Sequence, residues 1–131
     1  MNRIPATLLD VEAYDGISIV TFSAENAVMK MMALEISNAL SRGSGVILGV
    51  KASSIALAKA PLGEISIVNQ LNVTVDRITK GRLLCSLGIR FGDTILESVI
   101  TLDSAKRMKI ERGDALIALI KSSELSILEQ R

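Results

Sequence analysis

The sequence predicts an all-β protein with one short helix per unit, folded as two tandem OB-like five-stranded Greek-key barrels. Two observations carry that expectation. The chain repeats itself at a spacing of about 70 residues. Within each repeat, short runs of alternating apolar and polar residues are cut apart by glycine- and aspartate-containing turns, the signature of half-buried antiparallel strands.

The repeat is plainest where Lys51-Ala52-Ser53-Ser54-Ile55-Ala56-Leu57 stands above Lys121-Ser122-Ser123-Glu124-Leu125-Ser126-Ile127. Upstream, Arg42-Gly43 matches Arg112-Gly113 at the same spacing of 70. Near the front Asn2 matches Asn69 and Thr7 matches Thr74 at a spacing of 67, which implies a few residues gained or lost in the middle hairpin. Similarity at a fixed period means one structural unit used twice, and two copies suit tandem domains rather than a solenoid. The expected domains are residues 1–60 and 61–131, with Lys59-Ala60-Pro61-Leu62-Gly63 as a tight connector.

Taken in order, the first unit reads as strands over residues 4–11, 17–22 and 27–32, a short helix around 35–40, and strands over 46–51 and 55–58. The second unit opens with Leu71, Val73 and Val75 alternating with Asn72, Thr74 and Asp76. Strands over 82–87 and 94–100 follow, separated by Gly88 and then by Gly92-Asp93, a hairpin-turn pair. Thr101 or Asp103 can cap a helix of about two turns through Met108, with Gly113 beyond it as the stop. Strands over 116–121 and 125–128 flank Ser122-Ser123.

Composition narrows the chemistry. The chain has no histidine, no tryptophan and one cysteine. That removes the usual general base, the Ser/His and Cys/His nucleophile pairs and any ordinary zinc site, so no enzyme activity and no cation-binding centre are expected. Cys85 lies in an apolar run and reads as a buried thiol. Fifteen basic against fourteen acidic residues leave a net charge of +1, too little to attract a nucleic acid backbone. Tyr14, Phe22 and Phe91 are the only aromatic residues, too few for base stacking. The longest uncharged stretch, residues 65–75, falls well short of the roughly 20 apolar residues that span a bilayer. The N-terminus lacks a basic region followed by an apolar signal core. The expected location is the cytoplasm, without contact to membrane or nucleic acid.

Three small constellations remain, and each suits an anion. Lys51-Ala52-Ser53 and Lys121-Ser122-Ser123 end a strand in an ammonium followed at once by hydroxyls and backbone N–H groups; a surface lysine before a polar turn would look the same. Thr101-Leu102-Asp103-Ser104 offers donors at a helix start, or plain capping. At the spacing of 70 the first unit has Met31 and Leu34 there instead. Ser66-Ile67-Val68-Asn69-Gln70-Leu71 opens the second unit with a serine and an asparagine three apart, which equally fits a self-satisfying turn.

Together these segments resemble the molbindin (Mop) domains of the wider TOBE group. Their opening Ser-Ala-Arg-Asn-Gln-Leu-like motif is matched by Ser66, Asn69, Gln70 and Leu71. Their Ile-Thr-x-x-Ser segment is matched by Ile100, Thr101 and Ser104, and their closing Lys-Ala-Thr/Ser-like segment by Lys51-Ala52-Ser53 and Lys121-Ser122-Ser123. The resemblance implies a cytoplasmic homo-oligomer, dimer or trimer, that binds molybdate or tungstate as an intact oxyanion at sites shared between subunits, without a cofactor. On that resemblance Ser66 and Asn69 supply donors from one side, with Val68 contributing its backbone, and Lys121, Ser122 and Ser123, or Lys51, Ala52 and Ser53, supply charge and donors from the other. The resemblance also implies roles for Thr101 and Ser104. Two positions depart from the motif: Val68 stands where the family has arginine, and Asn2 follows Met1 directly, so the expected upstream serine and arginine are absent or were removed with an N-terminal segment.

Three functions fit these residues: storage, buffering or homeostasis of the oxyanion; the ligand-sensing part of a molybdate-dependent transcription regulator; and an OB-like oligomerisation module without ligand. The second shares its binding chemistry with the first, and Val68 favours the third.

Overall fold

The computed structural model describes residues 1–131. The chain is mostly β and forms ten strands: β1 (Asn2–Tyr14), β2 (Ile17–Ala24), β3 (Ala27–Ala33), β4 (Gly45–Val50), β5 (Ala56–Ala58), β6 (Asn69–Lys80), β7 (Leu84–Phe91), β8 (Thr94–Thr101), β9 (Ala115–Ile120) and β10 (Ser126–Gln130). One helix, α1 (Leu102–Arg107), follows β8, and single 3-10 turns occupy Ala52–Ser54 and Ser122–Glu124. No helix is long and apolar enough to cross a membrane.

Local sequence explains the hairpins. Asp15 and Gly16 both adopt positive φ (52° and 78°), as do Glu25 and Asn26 (49° and 65°). Both pairs therefore make the two-residue turn whose twist matches its flanking strands. Gly88, expected to break a strand, lies inside β7 instead. There β6 bulges between Val75 and Arg77, and a Cβ at Gly88 would press against the Arg77 side chain at 3.3 Å.

All pairings are antiparallel, in two five-stranded sheets ordered β10-β4-β1-β2-β3 and β5-β9-β6-β7-β8. The last strand of each sequence unit thus lies in the other unit's sheet. β5 runs beside β9, with Ala56 opposite Leu119, and β10 runs beside β4, with Ser126 opposite Gly49. Residue sizes fit this exchange. Gly49 leaves the room that Leu128 of β10 fills, since a Cβ there would lie 2.6 Å from Leu128. The equivalent positions in the other sheet are Leu119 and Ala58, large and small interchanged. The connection from β5 to β6 spans residues 59–68, longer than the expected tight turn because it must pass over β9.

Strand registers also locate the length change between the units. Ser18 pairs with Ala33 as Cys85 pairs with Ile100, so a spacing of 67 persists to the end of β3 and β8. The spacing is 70 from β4 and β9 onward. The three extra residues therefore belong to the connection after β8 and not to a hairpin. Residues 101–114 there hold α1, while the shorter residues 34–44 hold turns and no helix. The helix expected around residues 35–40 is absent because Ser37 and Asn38 favour a turn: Ser37 Oγ accepts from Ala39 N at 3.1 Å, and Leu40 N donates to Ser37 O at 3.0 Å. The spacing of 67 that holds through β3 makes Leu34, rather than Met31, the equivalent of Thr101.

One continuous apolar core joins the two sheets. Ile4, Leu8, Phe22, Met29 and Leu48 of the first sheet belong to the same buried cluster as Leu71, Leu87, Ile89 and Ile120 of the second. Cys85 is buried in it as a free thiol.

Candidate functional site

Each sheet ends one central strand, β4 or β9, in a lysine. Lys51 and Lys121 stay extended (ψ 144° in both) before the chain closes into a 3-10 turn. Ser54 N donates to Lys51 O and Glu124 N to Lys121 O, both at 2.9 Å. The N–H groups at the start of each turn have no earlier turn carbonyl to meet, and no side chain caps either turn. Lys51, Lys121, Ser53 and Ser123 are exposed, and Ala52 and Ser122 are half-buried.

The second of these turns borders a cavity of about 220 Å³ lined by Met32, Ser66, Ile67, Lys121, Ser122 and Ser123. Two segments more than fifty residues apart in sequence, the Ser66 opening and the lysine turn, therefore meet within one chain. Their donors are a serine hydroxyl, an ammonium, two further hydroxyls and turn N–H groups, with no carboxylate in the lining. Such a set offers hydrogen bonds to an anion from more than one direction. Val68 is 49% exposed and does not line this cavity.

Asn69 is placed differently. Its side chain is fully buried and holds a backbone pair: Oδ1 accepts from Lys30 N at 2.7 Å and Nδ2 donates to Lys30 O at 2.9 Å. Nδ2 also donates to Ile120 O at 3.0 Å, so both amide hydrogens are engaged. The side chain thus acts as a short piece of strand that ties the edge of β3 to β6 and β9. Asn2 repeats the arrangement on β8: Nδ2 donates to Glu97 O and Oδ1 accepts from Glu97 N, each at 2.8 Å.

Thr101 and Ser104 lie outside the cavity and cap α1. Thr101 Oγ1 accepts from Ser104 N at 3.1 Å and donates to Ser104 Oγ at 2.9 Å. Arg107 donates to Ser104 Oγ at 3.1 Å, which adds a guanidinium that sequence reasoning passed over. Its i, i+3 spacing from Ser104 was the available signal. At the first lysine turn, Val99 of β8 holds the position equivalent to Met32. The position equivalent to Ser66 falls before residue 1. The two turns meet where Ser54 Oγ donates to Glu124 Oε2 at 3.1 Å. Nowhere do three His, Cys, Asp or Glu side chains cluster to hold a cation.

Residues 65–127 match the family model of the TOBE domain. The matched segment, 63 of the 131 residues, contains Ser66, Val68, Asn69, Thr101, Ser104 and Lys121–Ser123, whereas Lys51, Ala52 and Ser53 lie before it. No curated protein sequence matches the chain. The fold is similar to that of a crystal structure of the cytoplasmic molybdate-binding protein ModG with molybdate bound. The TM-score is 0.90 at 20% identity, over 96% of this chain and 94% of that one. Two apolar residues of the TOBE-side cavity, Met32 and Ile67, were not singled out in sequence. Met32 comes from β3 of the other unit, and only the three-dimensional fold brings it near.

Proposed function

We propose that the chain binds molybdate or tungstate reversibly, as an intact oxyanion, in the cavity bounded by Ser66 and Lys121–Ser123. The observation that carries this reading is the convergence of those donors, without a carboxylate, in one cavity. The likeness of fold to molybdate-loaded ModG supports it. Lys121 offsets part of the dianion's charge, and the hydroxyls and turn N–H groups of Ser66, Ser122 and Ser123 serve its oxygens. A fully deprotonated tetrahedral dianion offers only acceptors, so a cavity of donors suits it and disfavours a protonated phosphate. Lys51, Ala52 and Ser53 form a second, poorer site with one hydroxyl fewer. Thr101, Ser104 and Arg107 act at a contact between copies, and Val68 contributes through its backbone.

On this reading each sheet coils into an OB-like Greek-key barrel, and units 1–60 and 61–131 lend each other their last strands. The protein works in the cytoplasm as a store or buffer of the oxyanion and associates with itself as a dimer or trimer. Exposed Tyr14 and Leu83 (87% and 80%) supply apolar surface for that association.

Calorimetry with molybdate, tungstate and sulfate tests the reading. Saturable heat with either heavy oxyanion, weaker or absent with sulfate, is the expected result; no saturable heat with the heavy oxyanions removes it. Light scattering should give at least a dimer, and a monomer at micromolar concentration would rule out sites shared between copies.

A further inference from the structure

The first unit has a cavity that the second lacks, and the repeat supplies an internal control for it. Where the second unit packs α1 and its sequel over β7, with Ala105 and Ile110 buried, the first unit has the shorter segment 34–44. A groove of about 570 Å³ opens beside that segment, and a second of about 370 Å³ shares part of its lining. Glu35, Ile36, Ser37 and Leu40 border both.

Two substitutions accompany the opening. Cys85, fully buried in the second unit, corresponds to Ser18, and Leu102, half-buried on α1, corresponds to Glu35. Ser18 is 95% buried (5% exposed) and lines the larger groove, and its hydroxyl pairs with no group of the chain and keeps access to solvent. The groove therefore carries a hydroxyl and a carboxylate, while Val11, Ile17, Leu34 and Ile36 keep its walls apolar. No lysine or arginine lines either groove.

We propose that this groove binds a small amphiphile, an alkyl or aryl body carrying an ammonium group. The body replaces the apolar side chains that α1 supplies in the second unit, and Ser18 and Glu35 receive the ammonium. The groove lies away from Lys121 and Ser66 and is independent of the oxyanion reading.

The test is a titration of isotope-labelled full-length protein with n-hexylammonium, n-hexanol and hexanoate, followed by amide NMR shifts. Hexylammonium should give saturable shifts at residues 16–18 and 34–40 and none around Cys85 and Leu102. Because Glu35 is exposed, its ion pair should make hexylammonium about two- to fivefold tighter than hexanol, and hexanoate weaker than both. Ser18→Cys combined with Glu35→Leu, which copies the second unit, should abolish the shifts and leave the fold intact. Absence of saturation, equal response to ammonium and carboxylate probes, or retained binding in the double variant would each overturn the proposal. So would shifts of the same amides on simple dilution, which would assign the groove to contact between copies.

Discussion

At the scale of single residues, Lys121 and Asn69 separate binding from folding. Lys121 is exposed, and its ammonium contributes no fold-stabilising pair. Losing one charge-assisted hydrogen bond is worth about 1.5–3 kcal/mol. Lys121→Ala should therefore weaken molybdate binding about tenfold to a hundredfold by calorimetry and leave the ligand-free melting temperature unchanged. Asn69→Ala should do the reverse. It strands the N–H and C=O of Lys30 and the C=O of Ile120, and should cost about 2–4 kcal/mol in urea unfolding. Asn69→Asp keeps the acceptor but turns a carboxylate toward two carbonyl oxygens, so it should rescue nothing. An affinity loss at unchanged stability would instead make Asn69 a direct ligand. Sequence could point to this asparagine, through its match with Asn2, but could not assign its role. Its partners at Lys30 and Ile120 lie 39 and 51 residues away.

At the scale of elements, equivalent hairpins of the two units meet and cannot be alike. Glu25 in the β2–β3 turn accepts from Asp93 N and from Thr94 Oγ1, both at 3.0 Å. Its equivalent in the β7–β8 turn is Gly92, with φ of 59°, where a Cβ would overlap the Glu25 carboxylate. Gly92→Ala should cost about 2–4 kcal/mol by thermal unfolding, from left-handed strain plus the clash. In a Glu25→Gly background, which removes every side-chain atom that the new Cβ would meet, the cost should fall to about 1 kcal/mol, the strain alone. Gly113→Ala, also at positive φ but in open space, should match that smaller value. Most strands could be read from alternation, because one face of each is buried. The helix expected after β3 gives way to the turn that Ser37 and Asn38 favour, in a connection three residues shorter than its counterpart, and that shortening leaves no local mark in the sequence. Its position became visible only when Ser18 and Cys85 were seen to hold the same register.

At the scale of the whole molecule, the exchanged strands make the halves interdependent. Nothing in the alternation of residues 126–130 or 56–58 says which β4-like neighbour each will choose. The choice lies in side-chain volume, Gly49 with Leu128 and Leu119 with Ala58, and depends on contacts far apart in sequence. Fragments 1–63 and 64–131 should each be largely unfolded by circular dichroism and regain the native spectrum as an equimolar mixture. Native-like folding of either fragment alone would contradict this. The intact chain should unfold in one cooperative transition, since one core spans both sheets. The exchange also sets a timetable for synthesis. β4 finishes at residue 50, yet the strand that covers its edge begins only at residue 126. At about 5–20 residues per second the ribosome leaves that edge bare for roughly 4–15 s, open to pairing with a neighbouring nascent chain. Polysomes crowded with this message are where mispaired copies should arise.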